Sequence, residues 1–299
     1  MKVLNILRSA AVLGGIATLV ACGATSSKAA SESKPEAAAK TVEIQQVRNA
    51  TIKVNYAGTA FLIDPMLAKK GAYPGFEGTY KSHLRNPLVE LPIPVEEVMQ
   101  ADAIIVTHTH PDHWDEAAQK SLPKNMPIFA QNEADAQIIR KDGFTDVRVL
   151  TKDTVFNGTR LIPTGGQHGD DKAIAVAGEV LGQVIGVVFQ REGHKTVYVA
   201  GDTIWNNHVE AAIRQYQPDV IILNTGYARI LGLDGSIIMG KEDLYRASQA
   251  APNAKIIGSH MEAVNHGMQT RKELRDYIAE KGLDSKRILI PADGETYRF

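Results

Sequence analysis

Short apolar runs alternate with turn signals along most of the chain, and their lengths and periods divide it into strands and helices. Val42–Val47, Ala50–Tyr56 and Thr59–Ile63 are separated by Asn49 and Gly58, which predicts an opening antiparallel meander. A helical turn at Val95–Gln100 leads to Ala103–Thr107, whose continuous apolar run predicts a buried strand. Helices are expected over Trp114–Lys120 and over Glu133–Lys141, the second capped by Asn132. Strands are expected at Ile128–Ala130, Val147–Leu150 and Thr159–Pro163, then at Ala173–Glu179, Val184–Gln190 and Thr196–Ala200. Asn206–Tyr216 is a helix stopped by Pro218, followed by strand Val220–Asn224, helix Lys241–Ala250 and strand Lys255–Gly258. Thr270 and Glu273 have capping-box spacing and start a helix running to about Glu280, after which Ile288–Pro291 is a last strand. Strands and helices interspersed from end to end predict a layered α/β protein, with antiparallel pairs predominating in its sheets.

Two regions fall outside that rhythm. Residues 64–94 are rich in Gly, Pro and Tyr, and a loop of that length in a compact domain is a candidate wall or lid over a site. The N-terminus carries Lys2 and Arg8 before an apolar run from Ala10 to Ala21, the layout of a secretory signal and too short for a membrane span. Leu19-Val20-Ala21-Cys22 resembles the lipobox of bacterial lipoproteins, which implies cleavage and lipidation at Cys22, the only cysteine in the chain. By the same resemblance Gly23, not being acidic, does not favour retention in the inner membrane. The expected organisation is a signal over 1–22, a flexible Ala/Ser/Lys/Glu tether over 23–40 and one domain over 41–299. The expected location is the cell envelope, lipid-anchored and facing the periplasm, on the outer membrane if the source is Gram-negative. With 33 Lys and Arg against 34 Asp and Glu, and no basic block, no nucleic-acid partner is expected.

Within this framework one stretch concentrates chemistry. THTHPDHW, positions 107–114, holds three of the nine histidines and an aspartate where the apolar strand stops. His108 and His110 are two apart, so an extended backbone points them the same way; Pro111 turns the chain before Asp112 and His113, at the expected start of the next helix. Imidazole and carboxylate are the ligand set of zinc and similar divalent ions, and two such pairs can serve two ions. An isolated histidine reads by default as a surface or packing residue, but four donors in six residues at a strand end do not.

This stretch resembles the H-x-H-x-D-H signature of the metallo-β-lactamase superfamily. The resemblance implies three further ligands at strand ends, and TRLIPTGGQHGD, TVYVAGDTIW and AKIIGSHMEAVNHG supply His168, Asp202 and His260 in that order, with His266 as a rival for the last. It also implies a four-layer αβ/βα sandwich. His108, His110 and His168 would hold one metal, Asp112, His113 and His260 a second, with Asp202 bridging. The implied reaction is hydrolysis of an ester, lactone, amide or phosphodiester by a hydroxide bridging two divalent ions, Zn2+ or else Mn2+. No G-x-S-x-G elbow offers a serine nucleophile. FLIDP (61–65), GDT, HMEAVNHG and IPADGE look most like the ascorbate-6-phosphate-lactonase-like branch, which places Asp64 beneath the metals as an acceptor for a ligand imidazole; a simple turn at Asp64-Pro65 is the alternative. The loose Gly165-Gly166-Gln167 run leaves His168 the least securely positioned ligand. The substrate is expected to be a small molecule or a lipid, contacted by His266 and His83. Alternatives are a phospholipase D-like phosphodiesterase acting on N-acyl phospholipids and a non-catalytic envelope metal-binding protein. His194 and His208 read as surface residues, Trp114 as packing, and Tyr73, Phe76 and Tyr80 as either an aromatic wall or loop packing.

Overall fold

The computed structural model describes residues 40–299; the expected signal at 1–22 with Cys22, and the tether up to residue 39, lie outside the described residues. Two seven-stranded sheets stack face to face. The first runs β14-β1-β2-β3-β4-β5-β6 and the second β13-β12-β11-β10-β9-β8-β7. In the first, β1 is Val42–Arg48, β2 Thr51–Tyr56, β3 Thr59–Ile63, β4 Ala103–Val106, β5 Ile128–Ala130, β6 Val147–Val149 and β14 Thr296–Arg298. The second comprises β7 Val155–Phe156, β8 Thr159–Gly165, β9 Ile185–Gln190, β10 Val197–Val199, β11 Val220–Asn224, β12 Lys255–Ser259 and β13 Ile288–Leu289. The helices are α1 Val95–Val98, α2 Glu116–Ser121, α3 Glu133–Lys141, α4 Asp171–Leu181, α5 Asn207–Tyr216, α6 Lys241–Ala250 and α7 Arg271–Glu280.

Side-chain alternation along the strands builds the layers. Phe61 and Ile63 of β3 face the second sheet, where Val187, Phe189 and Ile222 meet them in the central core. Leu62, between them, turns outward and packs with Val98, Trp114, Ala118 and Ile139 of the first helical layer and its approach. On the far side, Val188 and Ile221 of the second sheet pack against Val209, Leu244 and Leu274 of α5, α6 and α7. The result is the expected four-layer αβ/βα sandwich.

Three expectations are corrected. Ala173–Glu179 is not a strand: Asp170 caps the N-terminus of α4 by accepting from the Ala173 amide, and the apolar residues that suggested a strand leave Val176 and Val180 74% and 75% exposed. Antiparallel pairing predominates less than expected: among the described residues six of the twelve strand pairings are parallel. His113 does not open a helix: it lies in a turn whose amides at His113 and Trp114 donate to the His110 carbonyl, and Asp115 then caps α2. The short strands β7 and β14 carry no periodic signal and were not expected.

The long loop after β3 is tied down from below by Arg48. This guanidinium is fully buried at the end of β1, and donates to the carbonyls of Met66 (2.7 Å), Ala68 (2.9 Å) and Val89 (3.0 Å). Removing it leaves three carbonyl groups without their partner, those of Met66 and Ala68 in buried residues. Arg48→Ala is expected to lower unfolding free energy by about 3 kcal/mol, read by denaturant titration, with the 64–94 loop losing hydrogen-exchange protection before the sheets do.

Candidate metal centre

All the residues expected to bind metal come from the same end of the two sheets. Asp64 follows β3, and His108 to His113 follow β4; His168 follows β8, Asp202 follows β10 and His260 follows β12. Parallel strands with rigid, paired backbones end here together, which is where open α/β sheets present ligand-binding loops. Backbone shape then aims the side chains. His260 has φ +59°, and a side chain at Gly226 would collide with its carbonyl oxygen, so a residue without Cβ lets the two segments pass. Its amide donates across to the Asn49 carbonyl of the first sheet at 3.1 Å.

The donor atoms converge into three groups: His108, His110 and His168; His108, His113 and Asp202; Asp112, His113 and His260, the atoms of each lying within 4.8 Å of one another. His113 Nε2 is 3.1 Å from Asp202 Oδ2 and 3.2 Å from His260 Nε2, and His260 Nε2 is 3.3 Å from Asp112 Oδ2. His108 Nε2 and His110 Nδ1 are 2.9 Å apart. All but His110 are buried.

The outer hydrogen bonds decide what these atoms carry. His113 Nδ1 donates to Asp64 Oδ2 (2.9 Å), His168 Nδ1 to the Ile237 carbonyl (2.8 Å) and His110 Nε2 to the Val180 carbonyl (2.8 Å). Thr107 Oγ1 donates to Asp64 Oδ2 (2.7 Å), so its own lone pair is left for His108 Nδ1 at 3.2 Å. In the neutral tautomers set this way, His108 Nε2, His110 Nδ1, His113 Nε2 and His168 Nε2 all turn lone pairs inward, beside Asp202. Lone pairs facing one another at such distances repel unless a cation sits among them, so the donor set fits divalent metal. Asp64 is thus placed beneath the site as the acceptor that orients ligand imidazoles, rather than in the cavity.

The charges show where the cluster draws a cation or, in its place, protons. Burial by itself would raise the Asp202 and Asp112 carboxyls, but His113 and His260 outweigh it and hold both well below the usual range. His113 and His260 are pulled down by burial, yet the carboxylates around them win, pushing His113 well up and His260 to about 9. Burial, helped by neighbouring imidazoles, keeps His108 well below its ordinary value and His168 at about 4. One half of the cluster therefore draws positive charge and the other stays neutral.

His266 belongs to none of the three groups; burial lowers it to about 4, and it lines the cavity above the donors. His83 is exposed and does not line that cavity, contrary to expectation. His208 is exposed on α5. His194 is half-buried in the turn between β9 and β10. Trp114 packs on Phe144 with ring centroids 5.3 Å apart. Phe76 lines the cavity, whereas Tyr73 accepts from the Ala117 amide and Tyr80 stacks under Arg229. Sequence reasoning missed Asn49 and Asn224. Asn224 Nδ2 donates to Asp202 Oδ1 at 2.7 Å, and Asn49 Nδ2 to the Asp112 carbonyl at 3.0 Å. Asn224 closes the apolar strand VIILN at the same sheet end as the ligands, and that polar terminus was the available signal. Removing Asp64's charge while keeping its shape tests its role: Asp64→Asn is expected to weaken metal retention about 10- to 100-fold, read by chelator competition, with circular dichroism unchanged.

Comparison with known proteins agrees with this geometry. Residues 59–261 match the family model described as the beta-lactamase superfamily domain. The chain is 49% identical over 259 residues to the UPF0173 protein YddR of Bacillus subtilis, covering 86% of this chain and all of that one. An isothiocyanate hydrolase from Delia radicum gut bacteria is similar at 49% identity and TM-score 0.83, over 86% of this chain and 99% of the other. A possible metal-dependent hydrolase from Veillonella parvula is similar at 45% identity and TM-score 0.84, again over 86% and 99%. Sandwich, sheet-end donor cluster and family match converge, and the chain belongs to the metallo-β-lactamase superfamily as a metal-dependent hydrolase.

Proposed function

We propose that this protein is a two-metal hydrolase of small apolar molecules with an electrophilic carbon, isothiocyanates being the class the site suits best. The observation that carries this reading is the cavity over the donor cluster. It encloses about 330 Å³, with His110, Asp112, His168 and Asp202 at its floor and Phe76, Leu181, Ile230 and Ile237 on its sides. Its lining contains Glu77 but no Lys or Arg, so an anionic phosphate would meet no protein cation on the walls. That argues against the N-acyl phospholipid reading and against a phosphorylated lactone of the ascorbate-6-phosphate type. The similarity to an isothiocyanate hydrolase supports the same class. Uncharged esters and lactones fit the cavity by the same chemistry. The non-catalytic reading leaves an apolar cavity over a complete donor set without purpose.

His108, His110 and His168 would hold one ion and Asp112, His113 and His260 the other, with Asp202 between them. Zinc suits five imidazoles best, and manganese is the alternative. Two such ions supply Lewis acidity, which makes hydroxide available near neutral pH. The protein's own contribution is positional. Asp64, the Ile237 carbonyl and the Val180 carbonyl hold the imidazole rings, and Asn224 fixes the second oxygen of Asp202. The apolar walls exclude bulk water and lay the substrate's hydrocarbon part away from the floor. Overall, one water and R–N=C=S give R–NH2 and O=C=S: the water oxygen bonds to carbon, the C–N bond breaks, and both protons end on nitrogen. The envelope location and the lipid anchor at Cys22 belong to this reading on the strength of residues 1–22 alone.

Protein stripped with chelator is expected to lose consumption of phenethyl isothiocyanate and regain it with two equivalents of zinc or manganese. Asp202→Ala is expected to lower kcat at least a thousandfold while the melting transition persists. Turnover by the stripped protein would sink the reading.

A further inference from the structure

Behind the last ligand histidine, Asn265 and His266 close a loop without joining any donor group. The Asn265 amide is buried, and every bond it can make to the facing loop is made. Its Oδ1 accepts from the Phe76 amide (3.0 Å) and Asn86 Nδ2 (2.9 Å); its Nδ2 donates to Thr79 Oγ1 (2.8 Å) and the Tyr80 carbonyl (2.7 Å). Its own amide donates to Asn86 Oδ1 at 2.8 Å. One side chain thereby fastens the 64–94 loop to the segment carrying His260.

That clamp presents two rings to the cavity. Phe76 and His266 stand edge to face, centroids 5.0 Å apart at 90°, and both line the cavity. His266 is only 7% exposed, and its Nδ1 is buried with no hydrogen-bond partner. An unpaired buried nitrogen is unfavourable, since it has given up water without gaining a partner. A phenylalanine at this position would give the same packing against Phe76 without that cost. The main chain is held independently, since the His266 carbonyl accepts from the Arg229 amide at 3.1 Å.

We propose that His266 holds the substrate's heteroatom by a hydrogen bond from the cavity wall, with Asn265 as the positioning residue that sets the ring's place. The inference rests on the reading of the site as one for uncharged isothiocyanate-like molecules. The ring lines the same cavity as His110, Asp112, His168 and Asp202, and a bond to the substrate supplies the partner it lacks in the protein. Specificity follows: a molecule of equal bulk but without a hydrogen-bonding heteroatom leaves the imidazole unpaired.

The test uses the full chain loaded with zinc, and N-phenethylthiourea, a stable compound carrying the aryl group and thiocarbonyl of a hydrated isothiocyanate. Binding is measured by calorimetry, with metal content determined for each variant. His266→Phe is expected to keep two metals and the Phe76 packing but raise Kd at least tenfold; His266→Gln, which restores a donor and an acceptor, is expected to stay within about threefold of wild type. Asn265→Asp, which puts an oxygen against Thr79 Oγ1 and the Tyr80 carbonyl, is expected to weaken binding as His266→Phe does. Equal Kd in wild type and His266→Phe would overturn the assignment of His266, and so would loss of metal in that variant. Failure of the two-metal wild type to bind the thiourea would instead overturn the substrate class, and the assignment with it.

Discussion

Convergent lone pairs in a largely buried cluster are the constraint on which the rest of this structure depends. Five imidazoles and two aspartates point at one another across distances at which neutral donors would repel, so the arrangement holds together only around positive charge. Asp64 does much of the arranging. Through its bond to His113, and through Thr107 to His108, one carboxylate sets the tautomers of ligands in both halves of the cluster.

Holding those groups still requires a rigid frame, and the sandwich supplies it. The ligands follow strands from both sheets, and the sheets are locked together by the central core and by contacts such as Ser259 Oγ to Gln46 Oε1 at 2.7 Å. Residues near a strand end inherit its precision, whereas the cavity walls come from loops and from α4. That division separates roles. The frame fixes the donor cluster, and the walls shape the cavity above it. Superfamily membership accounts for the first and leaves the second to local residues.

Legibility from the chain follows the same division. Strands β3, β4, β11 and β12 lie where their apolar runs predict, because both faces of each are buried and the signal is local. The run beginning at Ala173 misled for the opposite reason: α4 leaves apolar residues exposed at its solvent face, so composition suggested a buried strand. That error also hid the Val180 carbonyl that holds His110. Parallel pairing was invisible because it joins strands separated by whole helices, and no local pattern encodes which distant strand becomes the neighbour.

The sequence by itself determined the identity and order of the residues that form the donor cluster, since H-x-H-x-D-H and the three later strand ends are properties of adjacent residues. It also determined that no thiol or serine elbow in the domain competes with a metal mechanism. Only the tertiary structure decided that His260 rather than His266 joins Asp112 and His113, that Asp64 lies beneath the cluster, and that His83 stands apart. It alone decided that the wall beside the donor cluster is mainly apolar and free of Lys and Arg. The reason is physical: ligand type is written residue by residue, but distance between residues 213 positions apart, as at Gln46 and Ser259, exists only once the sheets have packed.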